Sequence, residues 1–220
     1  MSETGTGYLR PTAVIAGDAL LVADPGLAMA LAQAVLEKPL MANHHHGLWG
    51  YSGSTSSGRE LTVQSTGIGG PSTAAVATEL AGHGVRRAIR VGSATALNSQ
   101  LAAGDLLVAE DGLGLDGIST ALGIKRPVAD PELTAALVAA LGEPRTATVA
   151  GYDLPVAGAP AGRRDQWLAA GAAVADGETA PLLAAAERAG LRVAVALVID
   201  GEADLVELGE RAALALDQLG

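Results

Sequence analysis

Arg90 and Ser93 stand at the C-terminal edge of an aliphatic run, Val85 to Val91, and together offer a planar cationic fork beside a hydroxyl. Such a pair fits an anion pocket, and the plain alternative for Arg90 is a strand-end salt bridge to one of the 24 acids. Glu178 lies in Val174-Ala-Asp-Gly-Glu-Thr-Ala180, between a strand pattern and a helix pattern. A carboxylate at that junction accepts from two hydroxyls, or simply favours the positive end of the helix. Asp200 closes the apolar run Val195-Ala-Leu-Val-Ile-Asp200. Burial there would raise its pKa toward that of a general acid, whereas a cap or turn aspartate before Gly201 is the simpler reading. The glycine-rich stretch Ser65-Thr-Gly-Ile-Gly-Gly-Pro-Ser72 follows a strand-like run and opens a helix. Its backbone N–H groups and the helix's positive end suit anions or polar hydroxyls.

The elements that must hold these residues alternate. Strand-like runs are Thr12–Ile15, Ala19–Ala23, Leu48–Ser54, Leu61–Ser65, Val85–Val91, Asp105–Ala109, Thr146–Gly151, Ala172–Ala175 and Arg192–Ile199. Helix-like runs are Gly26–Glu37, Ser72–Gly82, Pro131–Leu141, Arg163–Ala170, Thr179–Ala189 and Ala203–Leu219. Caps are expected from Asp130, from Ser72 after Pro71, and from Asp200 upstream of the last helix. Alternation of this kind predicts one α/β domain over residues 1–220, with a mixed, largely parallel central sheet flanked by helices. Arg90 and Ser93 then fall at a C-terminal sheet edge, where ligands sit in open α/β sheets. Gly151–Gly162, rich in proline and glycine, reads as a loop.

Gly67-Ile-Gly-Gly-Pro-Ser72, the helix ending Glu79-Leu80, and Arg90-Val-Gly-Ser93 together resemble the signature of the nucleoside phosphorylase family, which includes purine nucleoside and uridine phosphorylases. The resemblance runs loosely from Ala19 to Asp200. It implies that fold and cleavage of a nucleoside's N-glycosidic bond, purine preferred, by phosphorolysis to free base and ribose 1-phosphate. A phosphate-independent nucleosidase and a nucleoside-binding relative without catalysis are the alternatives. Glu178 resembles the glutamate of the family's Val-x-Met-Glu-x-Ala, which grips the ribose hydroxyls, with Gly177 in place of the methionine. Asp200 resembles the aspartate that assists a departing purine, Arg90 with Ser93 would orient phosphate, and Gly67 would belong to the substrate-binding residues. The resemblance further implies a homodimer or homohexamer with sites completed by a neighbour.

Departures from the family pattern cluster at the anion site. Gly-Asp-Pro-x-Arg is replaced by Ala23-Asp24-Pro25-Gly26-Leu27, which removes a glycine and an arginine. Ala94-Thr95-Ala96 stands where glycine usually follows the serine, so that Thr95 joins the base or phosphate surroundings. His46 takes the place of an arginine donated across a dimer interface, and it is a conditional cation near neutral pH. The chain has no Phe, so Tyr152 or Trp167 must flank the base. Each lost charge-assisted hydrogen bond costs roughly 1.5–3 kcal/mol, which weakens phosphate binding by the usual route.

A net charge of -10 disfavours nucleic-acid polymers as partners. No apolar run is long enough for a membrane span, no secretory signal is visible, and a cytoplasmic location is the expectation. With no cysteine there is no disulfide framework and no thiolate metal site. His44-His45-His46 reads as a polar loop rather than a metal site, because consecutive side chains diverge on any regular backbone. His83 reads as a helix-ending residue. No cofactor is expected beyond phosphate as co-substrate.

Overall fold

The computed structural model describes residues 7–200 and 204–219. Its strands are β1 (Asp18–Val22), β2 (Glu37–Asn43), β3 (Gly50–Ser54), β4 (Glu60–Ser65), β5 (Arg87–Ala96), β6 (Leu106–Leu113), β7 (Arg145–Gly151), β8 (Ala172–Asp176) and β9 (Arg192–Ile199). Its helices are α1 (Pro25–Val35), α2 (Gly69–Gly82), α3 (Gly117–Leu122), α4 (Pro131–Ala140), α5 (Arg163–Ala169), α6 (Thr179–Ala189) and α7 (Leu205–Asp217). The strands form one mixed sheet in the order β2-β3-β4-β1-β5-β8-β7-β6-β9. β9 also pairs with β5, in parallel from Arg87↔Arg192 to Ala94↔Ile199, so β5, β8, β7, β6 and β9 close into a ring. That closure is not part of the sequence expectation of an open sheet.

Burial on both faces explains the unbroken aliphatic strands. In β1, Ala19 and Leu21 pack toward α2 and α6, while Leu20 and Val22 pack toward α1, α4 and α7. β9 divides the same way, Val193, Val195 and Leu197 to one side and Ala194, Ala196 and Val198 to the other. A smaller cluster gathers Leu97, Leu113, Ala150 and Ala175 around Trp167 of α5. Gly112 and Gly151 let the start of α6 press onto β6 and β7: a Cβ on either would lie 2.7 Å from the Ala180 Cβ.

Three expected boundaries move. β5 runs on to Ala96, so Arg90 lies mid-strand rather than at the strand's C-terminal edge. α2 begins at Gly69 with Ile68 as its cap residue, and the Ser72 hydroxyl donates to the Thr66 carbonyl instead of capping. α7 is capped by Asp204, which accepts from the N–H groups of Val206 and Glu207, and not by Asp200. The segment 12–15 is not a strand, while β2 and α3 arise where no element is expected.

Asp130 does cap α4, accepting from Leu133 N–H at 2.9 Å, and its own N–H donates to Val193, fixing α4 against β9. Its carboxylate also receives Arg192 Nε at 2.7 Å, and that bond, against some desolvation, holds its pKa below the ordinary 3.8. A depressed carboxylate adds stability above its unfolded pKa and loses it as pH falls through the folded value. Asp130→Ala is therefore expected to cost about 1–2 kcal/mol at pH 7 by urea unfolding. The gap between the two proteins should narrow as pH falls below 3.8; a gap that is constant with pH contradicts the assignment.

Candidate active site

Arg90 is the centre of the site and is 3% exposed. Its Nε and Nη2 donate to Glu178 Oε2 at 3.1 and 2.7 Å, and Nη1 donates to Asp176 Oδ2 at 3.0 Å and to the Thr179 hydroxyl at 3.3 Å. Burial opposes the guanidinium's charge, but Asp176 and Glu178 outweigh it and hold Arg90 more firmly cationic than usual. Of the two readings open for Arg90, the structure therefore shows the salt bridge, although to acids that themselves border the cleft.

Both acids are locked. Asp176 Oδ1 accepts from the N–H groups of Glu178 and Thr179 at 3.1 and 2.8 Å, and Oδ2 accepts from the Thr179 hydroxyl at 2.7 Å. Asp176 thus ends β8 and serves the open N–H groups of α6, while Glu178 occupies the cap position without capping. Glu178 instead reaches across to α2, where Oε1 accepts Gly69 N–H at 3.2 Å. The first N–H of α2 and the guanidinium, the two groups best placed to hold an outside anion, are satisfied from within. Oε1 keeps a free lone-pair direction, because a carboxylate has about four acceptor sites.

The glycine turn supports this arrangement. Gly67 and Gly69 adopt φ of +73° and +78°, and Gly67 N–H donates to the Ala23 carbonyl at 3.1 Å. The divergent Ala23–Leu27 segment is therefore adjacent to the turn. There Asp24 accepts Leu27 N–H at 2.8 Å, so α1's N-terminus also carries its own carboxylate.

Above this floor opens a cleft of about 490 Å³, lined by Ser93, Thr95, Asp176, Gly177, Asp200 and the 154–156 segment among others. Ser93 is exposed and Thr95 half-buried. Asp200 is exposed, not buried as its apolar approach implied, and its backbone turns at φ 35°. Its Oδ2 accepts Ala96 N–H at 2.8 Å, which ties the end of β9 to the end of β5. The desolvation invoked for a general acid is absent.

The aromatic expectations fail. Tyr152 and Trp167 pack edge-to-face on each other at 5.0 Å, and Trp167 is buried at 1% exposure. Neither lines the cleft, whose described lining holds no aromatic side chain. His46 lies in a turn with φ 55° against the Tyr8 ring at 5.5 Å and is not part of the cleft. His44 and His45 stack at 5.3 Å, and no cluster of three metal-binding side chains occurs among the described residues.

Asp176, Thr179 and Gly92 complete the site and were missed in the sequence. A Cβ on Gly92 would lie 2.7 Å from Arg90 Nη2 and 2.9 Å from Cζ, so the guanidinium folds back over that bare backbone. The signals available were an acid three residues before a threonine at a strand–helix junction, and a glycine two residues after an arginine in a buried strand.

The chain matches the phosphorylase superfamily over residues 18–219 and belongs to it. It is 38% identical over 96 residues to a DeoD-type purine nucleoside phosphorylase of Clostridium perfringens, covering 43% of this chain and 40% of that protein. It is 36% identical over 124 residues to the uridine phosphorylase of Escherichia coli, covering 56% and 48%. A uridine phosphorylase of Thermococcus kodakarensis is 45% identical over 85 residues, covering 38% and 31%. The chain thus spans less than half the length of each of these relatives.

Gly92→Ala is expected to push the guanidinium off both acids and cost about 1–3 kcal/mol, as overpacking does in a tight interior. Unfolding in denaturant measures it. Unchanged stability would mean that Arg90 has room the structure does not show.

Proposed function

We propose that this chain cleaves the N-glycosidic bond of a nucleoside, purine preferred, passing the ribosyl group to phosphate and releasing free base. The observation that carries the reading is the fixed Glu178 carboxylate, held by Arg90 and Gly69 N–H directly beside the cleft wall at Gly177. A preorganised acceptor there binds ribose hydroxyls without reorganising, and its charge favours the positive sugar that develops as the bond breaks. In this reading Ser93 and Thr95 offer hydroxyls from β5, Gly67 shapes the turn, and Asp200 faces the base. Superfamily membership and the phosphorylase names of the relatives support it. Assembly as a homodimer or homohexamer, with His46 offered to a neighbour's site, and a cytoplasmic location belong to the same proposal. Among the described residues no helix is long and apolar enough to cross a membrane.

A second reading has water as the nucleophile. It is favoured by one observation: every donating nitrogen of Arg90 is already committed to Asp176, Glu178 and Thr179. Phosphate must then compete with two carboxylates for the guanidinium.

Release of base from inosine, adenosine and uridine, followed with and without phosphate, separates the readings. Phosphate-dependent release, greatest for a purine nucleoside, is expected; phosphate-independent release supports hydrolysis, and binding without release excludes both. Glu178→Ala should lower kcat/KM at least 100-fold, near 2.7 kcal/mol of transition-state stabilisation. Unaltered nucleoside affinity and turnover in that variant would overturn the assignment.

A further inference from the structure

The segment 154–162 joins β7 to α5 and supplies Leu154, Pro155 and Val156 to the cleft wall. Leu154 is 57% exposed although it borders the cleft. Pro155 and Pro160 have no N–H to donate. Among the described residues, the segment's backbone N–H groups donate only within it, Gly158 to Pro155 at 2.8 Å and Ala159 to Val156 at 3.0 Å. A strap so thinly bonded takes its position from its ends.

Both ends are fastened. Upstream, Tyr152 N–H donates to the Asp176 carbonyl at 3.1 Å, and the Asp153 carboxylate accepts Gly117 N–H at 2.9 Å. Downstream, α5 opens at Gly162, with φ +77° and no side-chain cap. Arg164 fastens that first turn. Its Nε and Nη2 donate to the carbonyls of Leu97 and Ala96 at 2.8 and 3.0 Å. The planar fork thus takes two consecutive backbone oxygens where β5 ends. Ala96 is held through both of its backbone groups, the N–H by Asp200 at 2.8 Å and the carbonyl by Arg164. One guanidinium therefore ties the strap's downstream end to the residue that holds Asp200. The body of α5 has a separate anchor, because Trp167 is 1% exposed in a cluster with Leu97, Ala150 and Ala175.

We propose that Arg164 is a positioning residue, one that sets the 154–156 wall and Asp200 at the spacing a bound nucleoside needs. The inference rests on the glycoside-cleaving reading above. Arg164 is not part of the described cleft lining and acts on the substrate only through that wall. Without its two bonds the strap spends most of its time away from the binding position, and apparent affinity falls by the fraction lost. A bound nucleoside selects the strap position that fits it, so turnover changes little once the cleft is filled.

Arg164→Met keeps the length of the side chain and removes both donors, whereas Arg164→Lys keeps a cation that can donate. For each, kcat and KM are measured with phosphate and the best cleaved of inosine, adenosine and uridine. Urea unfolding and nicking by thermolysin, with the cuts located by mass, accompany the kinetics. For Arg164→Met the expected result is a KM at least tenfold higher with kcat within about threefold. Its urea midpoint should stay close to that of the unaltered protein, and cutting within 154–162 should be at least tenfold faster unless nucleoside is bound. Arg164→Lys should recover most of the loss in KM. An unchanged KM in Arg164→Met overturns the inference and leaves the glycoside-cleaving reading intact. A higher KM with a lowered urea midpoint and no faster cutting of the strap also overturns it, because the role is then only structural. An unaltered protein that binds a nucleoside without releasing base overturns the cleavage reading alone, and its Kd then replaces KM in the test. One that neither binds nor cleaves any of the three overturns both.

Discussion

The site depends on one buried interaction, the contact of Arg90 with Asp176 and Glu178. With 4% of its side chain exposed, the guanidinium has lost most of its hydration, and the acids at 6% and 12% have lost nearly as much. Removing charges from water costs several kcal/mol per ion, and the loss is offset only when each remaining donor and acceptor finds a partner. That condition explains the density of bonds here. Thr179 and the N–H groups of 69, 178 and 179 are all drawn into one network. Deleting any single charge would strand the others, so the arrangement is fixed rather than adaptable.

The fold serves that contact. β5 lies between β1 and β9 over its first half, then exchanges β1 for β8, pairing Thr95 with Ala175. This exchange closes the strand ring and brings β8, with Asp176 at its end, beside the strand that carries Arg90. α2 and α6 pack on each other on the same side of the sheet, so their N-termini converge and Glu178 spans the gap to Gly69. Gly92 supplies the space for the guanidinium. Sheet closure, helix convergence and one missing side chain together decide which groups border the cleft.

Much of the fold is legible in the residues because local and global preferences agree. β9 and α6 have the bounds that their patterns predict, Arg192–Ile199 and Thr179–Ala189. β2 escapes notice because Glu37-Lys-Pro-Leu-Met-Ala-Asn43 is an edge strand with a proline, an irregular register and Lys38 at φ 49°. α3 has only six residues, held by Asp116 at one end and Gly123 at the other, too few to show a period. The site is legible in part. The glycine turn, Arg90, Glu178 and Asp200 carry recognisable types in recognisable places, but Arg90 meets acids 86 and 88 positions away, a pairing that only the three-dimensional fold decides. Asp200 leaves its apolar strand in a left-handed turn, so burial of the strand says nothing of burial of the side chain. The tyrosine and tryptophan expected at the base pack on each other, because a hydrophobic cluster under the 154–156 segment claims them first.

A crystal structure with a bound nucleoside tests the central claim most directly. The account predicts ribose hydroxyls within hydrogen-bond distance of the Glu178 carboxylate while Arg90 still holds its second oxygen. A sugar seated away from Glu178, with the Arg90 network closed and untouched beneath it, would contradict the account.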